Sequence, residues 1–169
     1  MDQARTGDED AWRRVFWRIY PRLLAYARRQ VGPEAAEDVV AETMTKAVAG
    51  IDRFRWQPAG FDAWLFGIAR HVCSDHHRHS SRARRTYVSV PMVEPAAPGD
   101  RLERDEAHAE LQQLFARLSP ADQQLLELRV IAGLSAEETA AVLGRRAGAV
   151  RTAQSRALAR LRRMLEGSA

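Results

Sequence analysis

Apolar residues return with a helical period through the N-terminal half of the chain. Over residues 9–30, Trp12, Val15, Phe16, Ile19, Tyr20, Leu23, Leu24 and Ala27 follow i, i+3, i+4, i+7 spacing, while Arg13, Arg14, Arg18, Arg22, Arg28 and Arg29 take the other surface. Gly32-Pro33 interrupts this helix, and Pro33 suits the first position of the next. That second helix, 33–49, sets Ala36, Val39, Val40, Thr43, Met44, Ala47 and Val48 on one side, and Gly50 ends it. A loop at 52–60 carries Phe54, Arg55 and Trp56. A third helix, 61–80, turns Phe61, Trp64, Leu65, Ile68, Ala69 and Val72 inward and points Phe66 and Arg70 elsewhere.

The period fails from 81 to 100, where Pro91, Pro95, Pro98 and Gly99 mark a flexible linker. It resumes with Leu111, Leu114, Phe115 and Leu118, and again after Ser119-Pro120 with Leu125, Leu128 and Ala132 flanked by Leu126 and Ile131. After Gly133, Ser135 and Glu138 have capping-box spacing and open a short helix, 135–143. Gly144 begins a tight turn and a longer helix fills 147–165, with Val150, Ala153, Ala157, Leu161, Met164 and Leu165 on one face. The pattern predicts an all-α chain of two small helical domains joined by a flexible linker, the second a helix-turn-helix. The boundaries fall at 1–86, 87–106 and 107–169.

Hydrophobic residues at 46% are enough for a core, with charged ones at 28%. The net charge of +4 is uneven: residues 1–80 hold 12 basic and 11 acidic groups, but 107–169 hold 9 and 6. From the turn onward the basic residues are Arg145, Arg146, Arg151, Arg156, Arg160, Arg162 and Arg163, with no acid before Glu166. A helix-turn-helix whose second helix is this basic fits a DNA major groove. Residues facing away from the core near the start of that helix reach base edges, and later arginines suit phosphates. The plainer reading is a basic solvated face. Lys46 is the only lysine against 25 arginines, a bias that GC-rich codon usage explains.

Other surfaces carry chemistry too. Glu34, Asp38 and Glu42 recur every fourth residue with Glu37 beside them, either a solvated acidic face or a docking surface for a basic partner helix. Aromatics beside arginines around Phe54–Arg70 suit stacking on unpaired bases, or simply packing on the first helix. His71, Cys73, His76, His77 and His79 crowd nine residues. Cys73 with His76 or His77 has the i+3 or i+4 spacing of zinc ligands, yet one helical face rarely supplies four, and a polar DNA-facing surface fits better. We expect no metal and no cofactor. One cysteine excludes an internal disulfide, no apolar run approaches a membrane span, and the polar N-terminus is unlike a secretory signal, so a soluble cytoplasmic protein is expected.

Three strings, in this order, resemble the sigma-70 family of bacterial RNA polymerase sigma factors, in its compact extracytoplasmic-function (ECF) type. Ala36-Glu37-Asp38-Val39-Val40-Ala41-Glu42-Thr43 resembles the family's core-binding helix. Phe61-Asp62-Ala63-Trp64-Leu65-Phe66-Gly67-Ile68-Ala69-Arg70 resembles its promoter-melting helix. Leu134 to Gly144, followed by Val150 and Arg156 to Leu161, resembles its −35-reading helix-turn-helix. The resemblance implies that Glu37, Asp38, Val39 and Glu42 dock on the polymerase's largest subunit. It implies that Phe54, Arg55, Trp56, Trp64, Phe66, Arg70 and His71 meet the −10 element, where a flipped base is captured. Arg145, Arg146, Arg151, Thr152, Ser155 and Arg156 would meet the −35 element.

The chain departs from the family at His71, where asparagine is usual, and at Arg145-Arg146, where an aliphatic residue precedes a small one. The implied partners are core RNA polymerase, promoter DNA and an anti-sigma factor, with no membrane insertion and no catalysis. The rivals are a helix-turn-helix regulator acting without polymerase and a metal-dependent hydrolase, the latter lacking a phosphate loop or paired carboxylates.

Overall fold

A computed structural model describes residues 9–55, 58–83 and 110–167. Among these the secondary structure is helical with no strand. The first unit holds α1 (Glu9–Val31), α2 (Pro33–Gly50), a 3-10 turn (Ile51–Arg53) and α3 (Gly60–Ala83). The second holds α4 (110–116), α5 (Pro120–Leu126), a π-helical turn (Glu127–Ile131), α6 (Ala136–Leu143) and α7 (Ala147–Glu166). The linker expected at 87–106 and Trp56 lie outside the described residues.

The period read from the sequence is the one that packs. Ile19, Leu23 and Ala27 of α1, Ala36, Val39, Val40 and Ala47 of α2, and Leu65, Ala69 and Val72 of α3 are buried together. Each large aliphatic side chain removed from water is worth about 1.5–3 kcal/mol. Pro21 sits exposed inside α1, where it has no amide to donate to the Trp17 carbonyl, yet the helix continues to Val31. Gly32 turns the chain with φ +86, a conformation open to glycine, and Pro33 then starts α2. Gly50 remains within α2, one residue beyond the expected end, and the chain tightens into the 3-10 turn that buries Ile51.

The second unit has its own core: Leu114, Leu118, Leu125, Leu126, Ala136, Ala140, Val150, Ala157 and Leu161. Ser119 caps α5 by accepting from the Asp122 amide at 3.2 Å. The Ser135–Glu138 capping box is complete, the Glu138 amide donating to Ser135 Oγ at 3.0 Å and the Ser135 amide to Glu138 Oε2 at 2.6 Å. Gly144, at φ +63, closes α6 and redirects the chain into α7. Arg129 secures the preceding segment, donating from Nε to Gln154 Oε1 at 2.7 Å and from its terminal nitrogen to the Leu134 carbonyl.

The π turn was not visible in the sequence. It places Glu127 and Leu128 inward, but Val130 and Ile131 outward, 60% and 41% exposed. Ile131, expected to flank the apolar face, therefore points to solvent. The added residue per turn rotates everything after it, so Ala132 and Leu134 face the first unit and join its core.

Candidate nucleic-acid interface

The −35 candidates share one exposed surface. Arg145 and Arg146 are exposed at the turn, and Arg151, Thr152, Ser155 and Arg156 are exposed along the first half of α7. Val150 and Ala157 on the other side are fully buried, which fixes the orientation of that face. The first turn of α7 carries no acid, so its unpaired amides and helix dipole present positive potential beside these arginines. Thr152 Oγ1 donates back to the Gly148 carbonyl at 3.1 Å. Arg151 pairs with Glu137 Oε1 at 2.8 Å. Glu137 is held below the ordinary carboxylate range first by its own backbone hydrogen bond and then by Arg151.

The −10 candidates divide. Phe54, Phe61 and Trp64 form an aromatic cluster with centroids 5.1–5.7 Å apart, anchoring the loop to the start of α3. Phe54 is buried and Trp64 partly so. Phe66 was expected to point away from the core. Instead it is fully buried, edge-on to Tyr26 at 5.6 Å and with the Arg22 guanidinium 5.7 Å from its centroid. The reason is that α3 is covered on two sides, by α1 and α2 and by α6, so its apolar arc is wider than a single stripe. Phe66 is a packing residue. Arg55 is exposed and donates to the Asp52 carbonyl at 3.0 Å. Arg70 is half-buried with Nε unpartnered, beside exposed His71 on the wall of a cleft of about 580 Å³. His71 Nδ1 lies 2.7 Å from the Gly67 carbonyl. A carbonyl only accepts, so Nδ1 is the donor in this contact.

Glu37, Asp38 and Glu42 are exposed along α2, and Glu42 pairs with Lys46 at 2.7 Å. Val39, placed with them by the resemblance, is 3% exposed and belongs to the core. Cys73 is also buried, and burial pushes its thiol up to about 12. Neighbouring His77 and His79 face solvent. Among the described residues no three His, Cys, Asp or Glu side chains cluster to hold a metal, and no helix is long and apolar enough to cross a membrane.

Sequence reasoning missed a polar centre at the start of α3. Asp62 accepts from Arg18 at 2.8 Å and from Arg22 at 2.7 Å. Burial works to raise its pKa, but the two guanidiniums outweigh it and hold the carboxyl below its usual range. Acid and arginines lie 40 and 44 residues apart in sequence, so no local spacing announces them.

Comparison with known proteins accounts for both units. Residues 16–83 match the family model for sigma-70 region 2, and residues 108–161 that for sigma-70 region 4. The ECF RNA polymerase sigma factor BldN of Streptomyces coelicolor is 34% identical, aligned over 100% of this chain and 66% of its own length. SigD of Mycobacterium tuberculosis, another ECF sigma factor, is 36% identical over 95% of this chain and 79% of its own. Among solved structures, CnrH in complex with the cytosolic domain of CnrY shares the fold with a TM-score of 0.73 and 26% identity, covering 99% of this chain and 96% of that one. The sigma factor RpoE with the anti-sigma factor NepR from Bartonella quintana gives 0.72 and 25%, covering 92% and 97%. The chain belongs to the sigma-70 family, among its ECF RNA polymerase sigma factors.

Proposed function

We propose the following division of labour for this alternative sigma factor, which binds core RNA polymerase and directs promoter-specific transcription initiation. Residues 1–86 grip polymerase through Glu37, Asp38 and Glu42, whose carboxylates are unencumbered by the core beneath them. The same unit meets the −10 element with Arg55, Trp56, Trp64, Arg70 and His71, while Phe54 and Phe66 hold the scaffold behind them. His71 Nδ1 is committed to the Gly67 carbonyl, so the ring meets a base through Nε2 alone, unlike an amide side chain that offers two atoms. Residues 107–169 read the −35 element, Arg151, Thr152, Ser155 and Arg156 toward bases and the nearest phosphates, Arg145 and Arg146 toward the backbone. Residues 87–106 tether the two. The protein works in the cytoplasm, performs no catalysis itself, and is a target for an anti-sigma factor, as is RpoE in its complex with NepR.

The observation that carries this reading is the acid-free, exposed first half of α7 behind a fully formed capping box and left-handed glycine turn. Purified chain and core polymerase should start transcription at discrete sites that core alone does not use. Asp38→Arg with Glu42→Arg should abolish co-purification with core and leave the thermal melt within about 0.5 kcal/mol, because both residues are exposed. Retained co-purification would refute the docking role. A regulator independent of polymerase would instead shift duplex promoter DNA unaided.

A further inference from the structure

One cleft carries cations without the anions to match. It is the space beside Arg70, about 580 Å³, within the range of small-ligand sites. Arg70, His71, Ser74, His77 and Arg78 line it from α3, with Gln30 from α1 and Gln124 from α5. Two guanidiniums and two imidazoles therefore meet there, and no carboxylate joins them.

Arg70 is the centre of the imbalance. Its guanidinium is half-buried, Nε is sealed from solvent, and among the described residues no acid or acceptor satisfies it. A cation drawn out of water without a partner is costly. Arg22 and Arg29, also partly removed from water, each hold a carboxylate, Asp62 and Glu127. Arg70 has no such acid. The Tyr26 hydroxyl, fully buried and within electrostatic reach of Arg70 and Cys73, lacks a partner as well.

The rest of the lining offers further contacts. His71 spends Nδ1 on the Gly67 carbonyl, which leaves Nε2. Arg78 leans on Ser74 Oγ at 3.3 Å and on Asp75 at 3.7 Å, long contacts of an exposed side chain. Exposed pairs of this kind are weak and yield to a stronger anion. The Gln124 amide has no partner among the described residues.

The spacing of the cations narrows the ligand. Arg70 and Arg78 stand about two turns apart on α3, about 12 Å by helical rise. A ligand that meets both carries charge at more than one point, and phosphate oxygens match guanidinium forks. Walls from three helices favour a compact anion over a passing DNA strand.

We propose that this cleft binds a chain of phosphates, inorganic or carried by a nucleoside, with Arg70 and Arg78 on its oxygens. Binding is independent of the sigma-factor reading. Its consequence rests on that reading: an occupied cleft engages Arg70 and covers His71, both given above to the −10 element, so ligand and promoter opening compete.

The test is calorimetric titration of the full chain at physiological ionic strength, with inorganic triphosphate and separately with ATP. One equivalent should bind. Arg78→Gln, at an exposed position, should weaken binding about tenfold. Arg162→Gln with Arg163→Gln, equally exposed on α7, should change nothing. Loss of ATP binding alone in Gln124→Ala would assign a nucleoside-borne chain, and equal affinity for both ligands in every form would assign the bare one. No binding of either ligand would overturn the site. So would an equal loss in the α7 variant, which would mean diffuse attraction to a basic protein. A single-stranded oligonucleotide that binds through Arg78 where triphosphate does not would overturn it in favour of DNA. With core polymerase, excess magnesium and no nucleotide substrates, triphosphate should suppress permanganate reactivity at the promoter, and Arg78→Gln should need about tenfold more of it. Unchanged reactivity would overturn the competition. A promoter that the parent never opens would count against the sigma reading alone, because the titration needs no polymerase.

Discussion

Phe66 separates a core role from a base-contacting one by stability. The ring is fully buried against Tyr26 and capped by Arg22. Phe66→Leu keeps an apolar side chain of similar size but loses the edge-to-face contact, worth about 0.5–1.5 kcal/mol, and repacks imperfectly. The sum is about 1–2 kcal/mol. For a unit of this size that lowers the melting temperature by about 5–10 °C. Far-UV circular dichroism reads the melt, and permanganate reactivity of unpaired thymines reads promoter opening. At a temperature well below both melts, opening by the Leu variant should match the parent. A variant that melts like the parent yet fails to open the promoter would refute the packing assignment and return Phe66 to the DNA.

Arg151→Ala and Arg156→Ala should both weaken promoter use, and the one that acts on phosphate should lower the salt slope by about one counterion without changing base preference. Unchanged promoter use in both would remove α7 from the interface. Ser135→Ala deletes half of a capping box and should cost about 1 kcal/mol, visible as an earlier chemical-denaturation midpoint; no shift would mean the cap contributes nothing. Asp62 is held below its ordinary range in the folded state, so its contribution is fully present above the unfolded carboxylate value near 3.8 and disappears as pH falls through the lowered folded value. Acid titration of stability should lose that component in Asp62→Asn, and superimposable titrations would show that the Arg18–Asp62–Arg22 centre adds no pH dependence.

The helices themselves were readable because each buries at least one stripe at the 3.6 period, and caps at Ser119, Ser135 and Gly144 mark their ends with local chemistry. What escaped was anything set by a second neighbour. Tyr26 lies off the α1 stripe, yet it is fully buried because α1 meets α3 on one side and the π turn on another. Phe66 escaped for the same reason on α3. Val39 was readable on the apolar side of α2, where it is buried, and only the string match placed it with the acids, since such a match does not say which way a side chain faces. The π turn leaves no periodic signature in five residues, and its effect, turning Ala132 and Leu134 onto the first unit, is long-range. Of the −35 set, all six positions are exposed as expected, because the face opposite a simple apolar stripe needs only that stripe to be located.

Cys73 carries a last consequence. It is the only sulfhydryl in these 169 residues, buried on α3 beside the cleft that Gln30 and Gln124 also line, and burial raises its pKa. A protonated, enclosed thiol is a poor nucleophile toward peroxides and disulfides. An oxidant acting on this chain therefore meets its one thiol slowly.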